Sequence, residues 1–270
     1  MSERDAIEKT GNAPNTVTSL VRDFRNIGLH EGMTVLVHTS LSSLGWVCGG
    51  AQAVILALET VLTEDGTLVM PTHSGGLSDP AKWENPPVPR SWWNTIREEM
   101  PAFDPDLTPT RGMGSVAETF RKQRTVVRSN HPQLSFAAWG KSKRLVLQDT
   151  KYEFALDEKS PLGRVYDLDG DVLLIGVGYS RNTSLHLAEY KAKYATKTTV
   201  KNGFPVVERE RTVWKEFDDI EYDEDDFDEI GREYEQAHRV QTGNVGNAVC
   251  KVMKQRSLVD FAVRWMENNR

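Results

Sequence analysis

From Thr16 onward the apolar positions Val17, Leu20, Val21 and Phe24 fall at i, i+3, i+4 and i+7. That spacing lays one apolar stripe along a helix, and Gly28 closes it. Thr34 to Val37 changes period and reads as a short buried strand. It runs into the turn-rich His38-Thr39-Ser40-Leu41-Ser42-Ser43-Leu44-Gly45, with Gly49 and Gly50 just beyond. Ala51 to Leu62 returns to helical spacing through Val54, Ile55, Leu58, Val61 and Leu62. Gly66 then turns the chain, and Thr67 to Met70 forms a second strand, stopped by Pro71. A β-loop-α-β run of this kind predicts an α/β fold with a largely parallel central sheet flanked by helices.

Gly75 to Pro109 breaks both periods. It carries Pro80, Pro86, Pro87, Pro89, Pro101, Pro105 and Pro109, with Trp83, Trp92 and Trp93 between them. The prolines forbid a long helix or a central strand, and the tryptophans argue against disorder. An ordered insertion that walls a binding site is expected, with Asp79 and Trp83 as candidate substrate contacts. Regular structure resumes in a short helix from Ser115 that holds Val116, Glu118, Phe120 and Arg121, followed by a strand at Ser135 to Ala138. Val172 to Val177 is the strongest strand signal in the chain, and a helix from Thr183 to Tyr194 follows it. Asn202-Gly203 and the alternation after it predict an antiparallel hairpin over Phe204 to Phe217. Asn247 to Met253 and Ser257 to Met266 are expected as closing helices, the second capped by Ser257. With no internal repeat and no clear linker, the expectation is one domain, 16–270, behind a polar tail, 1–15.

Composition narrows the class. No run approaches the roughly 20 apolar residues of a membrane span. The first fifteen residues lack the apolar stretch of a secretory signal. Cys48 and Cys250 are the two cysteines. They make neither a disulfide framework nor a zinc spacing, so a cytoplasmic location is expected. The formal net charge is −6, yet Glu216 to Glu229 alone holds ten acidic residues and no basic one, which leaves +4 on the rest. Such a body has no basic face, so neither a nucleic acid nor a membrane is an expected partner. The acidic run suits attraction of a cationic substrate, and a solvated loop is the competing reading.

Candidate chemistry centres on His186. It lies early in a helix that starts just past the strongest strand, and ligands of open α/β sheets bind beyond the carboxyl ends of strands. Glu189 is three residues on, hence on the same helical face, and a histidine with a carboxylate neighbour is suited to general-base work near neutral pH. A polar helix face without a role remains the alternative. The hydroxyls and glycines of His38 to Gly50 lie between a strand and a helix start, where exposed N–H groups favour a phosphate, although no P-loop or dinucleotide pattern is present. Arg111, Arg121, Lys122, Arg124 and Arg128 could pair with phosphates or simply solvate the surface. Cys48 could act as a nucleophile with His38 or His186 as base, or be a small packed thiol. No histidine–cysteine set has metal spacing, so no metal is expected.

Taken in order, these blocks resemble the aminoglycoside 3-N-acetyltransferases. Val37-His38-Thr39-Ser40-Leu41-Ser42-Ser43-Leu44-Gly45-Trp46-Val47 with Gly49-Gly50-Ala51 is similar to that family's opening motif, and Gly66-Thr67-Leu68-Val69-Met70-Pro71-Thr72 to the next. Phe103-Asp104-Pro105, Thr108-Pro109 and Met113-Gly114 continue the likeness, as do Arg128 to Pro132 and Ser160-Pro161-Leu162. Asn182-Thr183-Ser184-Leu185-His186-Leu187-Ala188-Glu189 completes it. The likeness runs from about residue 16 to 266.

The resemblance implies a fold distinct from the GNAT acetyltransferases, acetyl-CoA as donor, and direct transfer to an amine of the 2-deoxystreptamine ring of an aminoglycoside. It implies that CoA lies along His38, Thr39, Ser40, Leu41, Ser42 and Gly45 and near Met113, Gly114, Phe120 and Arg121. It makes His186 the base, with Glu189 either orienting the imidazole or binding the sugar's ammonium groups. The oxyanion of the intermediate needs donors, and backbone N–H groups or a hydroxyl such as Thr72 could supply them. Asp223, Asp225 and Asp226, with Asp79 and Trp83, are the expected acceptor contacts, and a homodimer is compatible with the family. The acidic tail is closer to uncharacterised bacterial members than to the dedicated resistance proteins. Acetylation of another amine metabolite, and binding of polycations without turnover, therefore stay open.

Overall fold

Val35 and Val37 face one side of their strand and Leu36 the other, and all three are buried. A strand that is apolar on both faces needs cover on both, and helices supply it. The structure, a computed structural model, describes residues 3–270. Among those residues the strands are β1 (Thr34–Thr39), β2 (Thr67–Pro71), β3 (Val127–Arg128), β4 (Phe136–Gly140), β5 (Asp171–Ile175), β6 (Thr199–Glu208), β7 (Arg211–Ile220), β8 (Gln241–Val245) and β9 (Ala248–Lys254). The helices are α1 (Glu3–Thr10), α2 (Val17–Asn26), α3 (Gly50–Leu62), α4 (Trp93–Glu99), α5 (Gly114–Phe120), α6 (Lys143–Leu147), α7 (Pro161–Asp167), α8 (Ser184–Lys191), α9 (Phe227–Ala237) and α10 (Gln255–Asn269). None of these helices is long and apolar enough to cross a membrane.

The main sheet has the order β3-β4-β2-β1-β5-β9-β8. Its centre, β2-β1-β5, runs parallel as expected, while β4 with β3 and β9 with β8 extend it antiparallel on either side. On one face α2, α3 and α5 bury Phe24, Leu58 and Phe120 against Val35, Val37 and Ile175. On the other, α7, α8 and α10 bury Val165, Leu185 and Leu258 against Leu36, Val172 and Leu174. Each such side chain contributes about 1.5–3 kcal/mol of transfer energy before chain entropy is counted. β6 and β7 form a separate hairpin, longer than the sequence pattern suggests.

Asn247 to Met253 is not a helix. Asn247 lies in the turn and Ala248 to Met253 in β9, which pairs with β5 on one side and β8 on the other. Ala248, Cys250 and Val252 point inward while Val249 is exposed, a period of two that a short apolar run conceals. Gly246, at φ 51°, turns the chain between β8 and β9. Helix α10 then begins at Gln255, ahead of Ser257, whose hydroxyl accepts a hydrogen bond from Tyr234 instead of capping the helix. The polar tail carries α1, which docks on the loop after β1: Trp46 Nε1 donates to Glu3 at 3.1 Å and Trp46 N–H to Thr10 at 2.5 Å. The proline-rich insertion is a series of single turns around the short α4. Lys82 ties it to the hairpin by donating to Asn202 Oδ1 at 2.9 Å.

Candidate active site

Parallel strands β1, β2 and β5 end side by side, delivering His38-Thr39, Pro71 and Gly176 to one crevice. It is a cavity of about 880 Å³, lined by His38, Thr39, Ser40, Leu41, Ser42, Gly45, Met113 and Gly114 among others. That volume lies toward the upper end of small-molecule sites, roughly 300–1,000 Å³. Gly45 has φ 83°, and a Cβ there would fall 2.4 Å from Asn247 Oδ1 and 2.5 Å from Thr10 Oγ1. The N-terminus of α3 opens onto the cavity at Gly50, an environment that favours an anionic ligand. The cavity walls thus fit a phosphate-bearing cofactor. Phe120 and Arg121 stand apart from them. Phe120 is buried in the core, and Arg121 donates to both oxygens of Glu118 at 2.8 and 2.7 Å and to Asp106 O. Its i,i+3 position gives Arg121 a carboxylate partner in place of a phosphate.

Beside this cavity lies a chamber of about 150 Å³ that shares the wall residues Met113, Ser180, Arg181 and Thr183 with it. His186, on the first turn of α8 and 6% exposed, lines the chamber together with Tyr222 and Glu224. Its Nδ1–H donates to Glu189 Oε2 at 2.6 Å. An ionised carboxylate can only accept, which puts the proton on Nδ1 and leaves Nε2 as the basic atom. Nε2 lies 3.3 Å from Glu224 Oε1. Glu189 is fully buried, and its Oε1 accepts from Arg270 Nη1 at 2.8 Å and Asp223 N–H at 2.9 Å.

These contacts set the charge of the histidines. Burial pulls the His186 imidazole downward, but the hydrogen bonds and charges of Glu189 and Glu224 outweigh it, and the net shift is upward. The hydrogen bond from His186 in turn holds the Glu224 carboxyl below its usual range. His38 goes the other way: burial first, then the neighbouring His186, lower it to about 3. It is neutral, with Nε2 3.4 Å from Thr183 Oγ1.

Several expected site residues are engaged elsewhere. Thr72 is fully buried and lines neither the cavity nor the chamber. Its hydroxyl lies 3.1 Å from Ser135 Oγ, and Arg128 Nε donates to it at 3.2 Å. Asp79 accepts from Arg97 Nη2 at 2.7 Å and caps the turn at Ala81. Trp83 donates to Ser78 and borders a different hollow, with Pro86 and Arg111. Asp226 is paired to Arg270 at 2.5 and 2.7 Å, Asp223 meets Arg270 through its carbonyl oxygen, and Asp225 is exposed. The carboxylate of this loop that borders the chamber is Glu224, which sequence reasoning counted in the acidic run but did not single out. Tyr222, Arg270, Asn182 and His73 were also missed as site residues. Cys48 is exposed and lies outside the cavity lining.

The family model for aminoglycoside 3-N-acetyltransferase matches residues 36–267. The SPbeta prophage-derived aminoglycoside N(3')-acetyltransferase-like protein YokD of Bacillus subtilis (strain 168) is 48% identical over 257 residues, 95% of this chain and 94% of that protein. Aminoglycoside N(3)-acetyltransferase VII of Streptomyces paromomycinus is 34% identical over 276 residues, 97% of this chain and 95% of that protein. The crystal structure of YokD superposes with a TM-score of 0.96 at 46% identity, covering 98% of each chain. AAC-IIIb, solved as a binary complex with CoASH, gives 0.84 at 26% identity, covering 95% of this chain and 97% of its own. AAC-VIa, solved bound to sisomicin, gives 0.86 at 28% identity, covering 96% of this chain and 99% of its own. With a matching family model and relatives aligned over nearly its whole length, this chain belongs to the aminoglycoside 3-N-acetyltransferase family.

Proposed function

We propose that the chain transfers the acetyl group of acetyl-CoA to the 3-amino group of the 2-deoxystreptamine ring of aminoglycoside antibiotics, giving resistance. His186 acts as general base, and transfer between the two substrates is direct. One observation carries this reading: Nε2 of His186, braced through Nδ1 by buried Glu189, borders a chamber that shares walls with a cavity suited to CoA. The CoA-bound AAC-IIIb and sisomicin-bound AAC-VIa support the two substrate classes.

An amine is nucleophilic only when neutral, while an aminoglycoside arrives as a polycation. Glu224 offers a carboxylate to the ammonium groups of the substrate. The 3-amine attacks in its neutral form, its ammonium proton having gone to solvent, and His186 Nε2 takes one proton from the nitrogen as the C–N bond forms. Glu189 then stabilises the imidazolium through Nδ1, and Arg270 holds Glu189 in place. The thioester supplies the activated acyl group, so the protein's own work is to bind, orient and move one proton.

Thiol release from acetyl-CoA tests this with a panel of aminoglycosides and simple amines. Release is expected to need both substrates and to be fastest with deoxystreptamine-containing drugs, which should emerge acetylated at the 3-amino group. Release without any amine, or none with any amine, would overturn the reading.

A further inference from the structure

The acyl carbon becomes tetrahedral during transfer, and its oxygen then needs donors; Thr72 lines neither the cavity nor the chamber. Two residues that line the chamber each carry a buried polar atom with no hydrogen-bond partner among the described residues: Asn182 Nδ2 and His73 Nε2. Another such atom, Thr39 Oγ1, borders the large cavity instead. A buried donor without a partner costs free energy, and its persistence calls for a functional or structural explanation.

Asn182 is pre-oriented. Its Oδ1 accepts from Ser184 N–H at 3.1 Å at the start of α8, which fixes the amide plane and leaves Nδ2 as the end free to donate. The residue is 1% exposed and lies next to Thr183, one of the walls shared by cavity and chamber. His73 approaches from the end of β2, and its ring packs edge-on against Phe136 at 5.3 Å. Burial is the first cause that lowers His73, with His186 and His131 adding to it, to about 3. A neutral imidazole of this kind can donate one hydrogen bond without carrying charge.

Building on the acetyl-transfer reading, we propose that Asn182 Nδ2 and His73 Nε2–H form the oxyanion site of the reaction. As the amine nitrogen forms the new C–N bond, the carbonyl π pair moves onto oxygen and is received by these donors. The proton leaves the nitrogen for His186 Nε2. The oxygen pair returns to re-form the C=O bond, the C–S bond breaks, and the CoA sulfur departs with the C–S bonding pair and takes the proton from His186 Nε2. Fixed donors aimed at a developing charge act in the transition state and not in the ground state.

The test is steady-state kinetics on the alkaline plateau of the pH profile, so that any change in His186 titration does not count. Asn182→Asp keeps the acceptor for Ser184 N–H but has no donor, and should lower kcat by about 10²- to 10³-fold with both KM values little changed. His73→Leu should also lower kcat, and His73→Gln, whose amide can reach the same position, should restore much of it. A folded Asn182→Asp with wild-type kcat, or a loss carried entirely by KM, overturns the proposal. If that variant does not fold, equal kcat for His73→Leu, His73→Gln and wild type overturns it. Failure here leaves wild-type transfer intact. Failure of the acetyl-transfer reading would instead appear as a wild type that releases no thiol with any amine.

Discussion

The large cavity takes much of its lining from neighbouring positions, His38 to Ser42 with Gly45 to Val47, whereas the chamber gathers His73, Met113, Asn182, His186, Tyr222 and Glu224 from separate stretches of chain. The first surface mixes hydroxyls and glycines with apolar side chains such as Leu41, Trp46, Val47 and Met113. The second combines neutral side chains with a few ionisable groups, and the charge of His186 is set by Glu189 one helical turn away together with Glu224 from a distant loop. Changes to the cavity should therefore act on binding, and changes to the chamber on rate, stability and pH response.

The sharpest separation of the two regions comes from His186→Ala. It removes the basic atom without touching the cavity wall. We expect kcat to fall by about 10²- to 10⁴-fold with acetyl-CoA affinity unchanged, measured by thiol release and by calorimetry with CoA. A folded variant with wild-type turnover would erase the chamber's chemical role.

Arg270 comes next, because it links the chamber to the loop that carries Glu224. Its side chain is 6% exposed and serves Glu189, Asp226 and the Asp223 carbonyl together. Arg270→Ala strands a fully buried carboxylate, and breaking a buried pair in this way costs about 3–5 kcal/mol. Urea denaturation should show a loss of that order, and Arg270→Lys should recover part of it by restoring charge without the planar fork. An unchanged midpoint would mean that Glu189 does not depend on Arg270.

Gly45→Val probes the other region. At φ 83° a branched residue is strained by roughly 1–3 kcal/mol, and its side chain would collide with Asn247 and Thr10. The KM for acetyl-CoA should rise by about tenfold or more, the equivalent of that strain, while the acceptor KM stays near wild type. Equal effects on both substrates would show that the loop only supports the fold.

The same contrast explains what the sequence could reveal. The His38 to Gly45 loop and the His186–Glu189 pair are legible because their members are neighbours in sequence or one helical turn apart. Arg121 is less simple to place from spacing, because Glu118, one turn before it, already holds the guanidinium. Glu224 was hidden among ten acidic residues whose separate partners, such as Arg270 for Asp226 and Tyr190 for Asp219, lie far away in sequence. In β9 the alternation of Ala248, Val249 and Cys250 was present but too short to outweigh the helical alternative. Asn182 and His73 became visible through atoms left without partners, which composition and spacing do not encode.

Glu224 offers the finest test of the chamber, with the smallest expected effect, since its side chain is 54% exposed and solvent screens its charge. The carboxylate favours protonated His186, so it is one reason that the imidazole titrates above its usual 6.5. Catalysis needs the neutral imidazole, and kcat/KM should therefore rise with pH through that titration. Glu224→Gln keeps the shape and a polar tip but removes the charge, so the acidic limb should move to lower pH. Stability follows the same sign. The stabilisation from a raised histidine is present below 6.5 and is lost as pH rises through the folded-state value, so the variant should be penalised more at acidic than at alkaline pH. Asp225→Asn, one residue away and outside the chamber, serves as the control and should leave the limb in place. Equal behaviour of the two variants would show that Glu224 belongs with the solvated part of the acidic run and that the chamber's pH response is set by Glu189 alone.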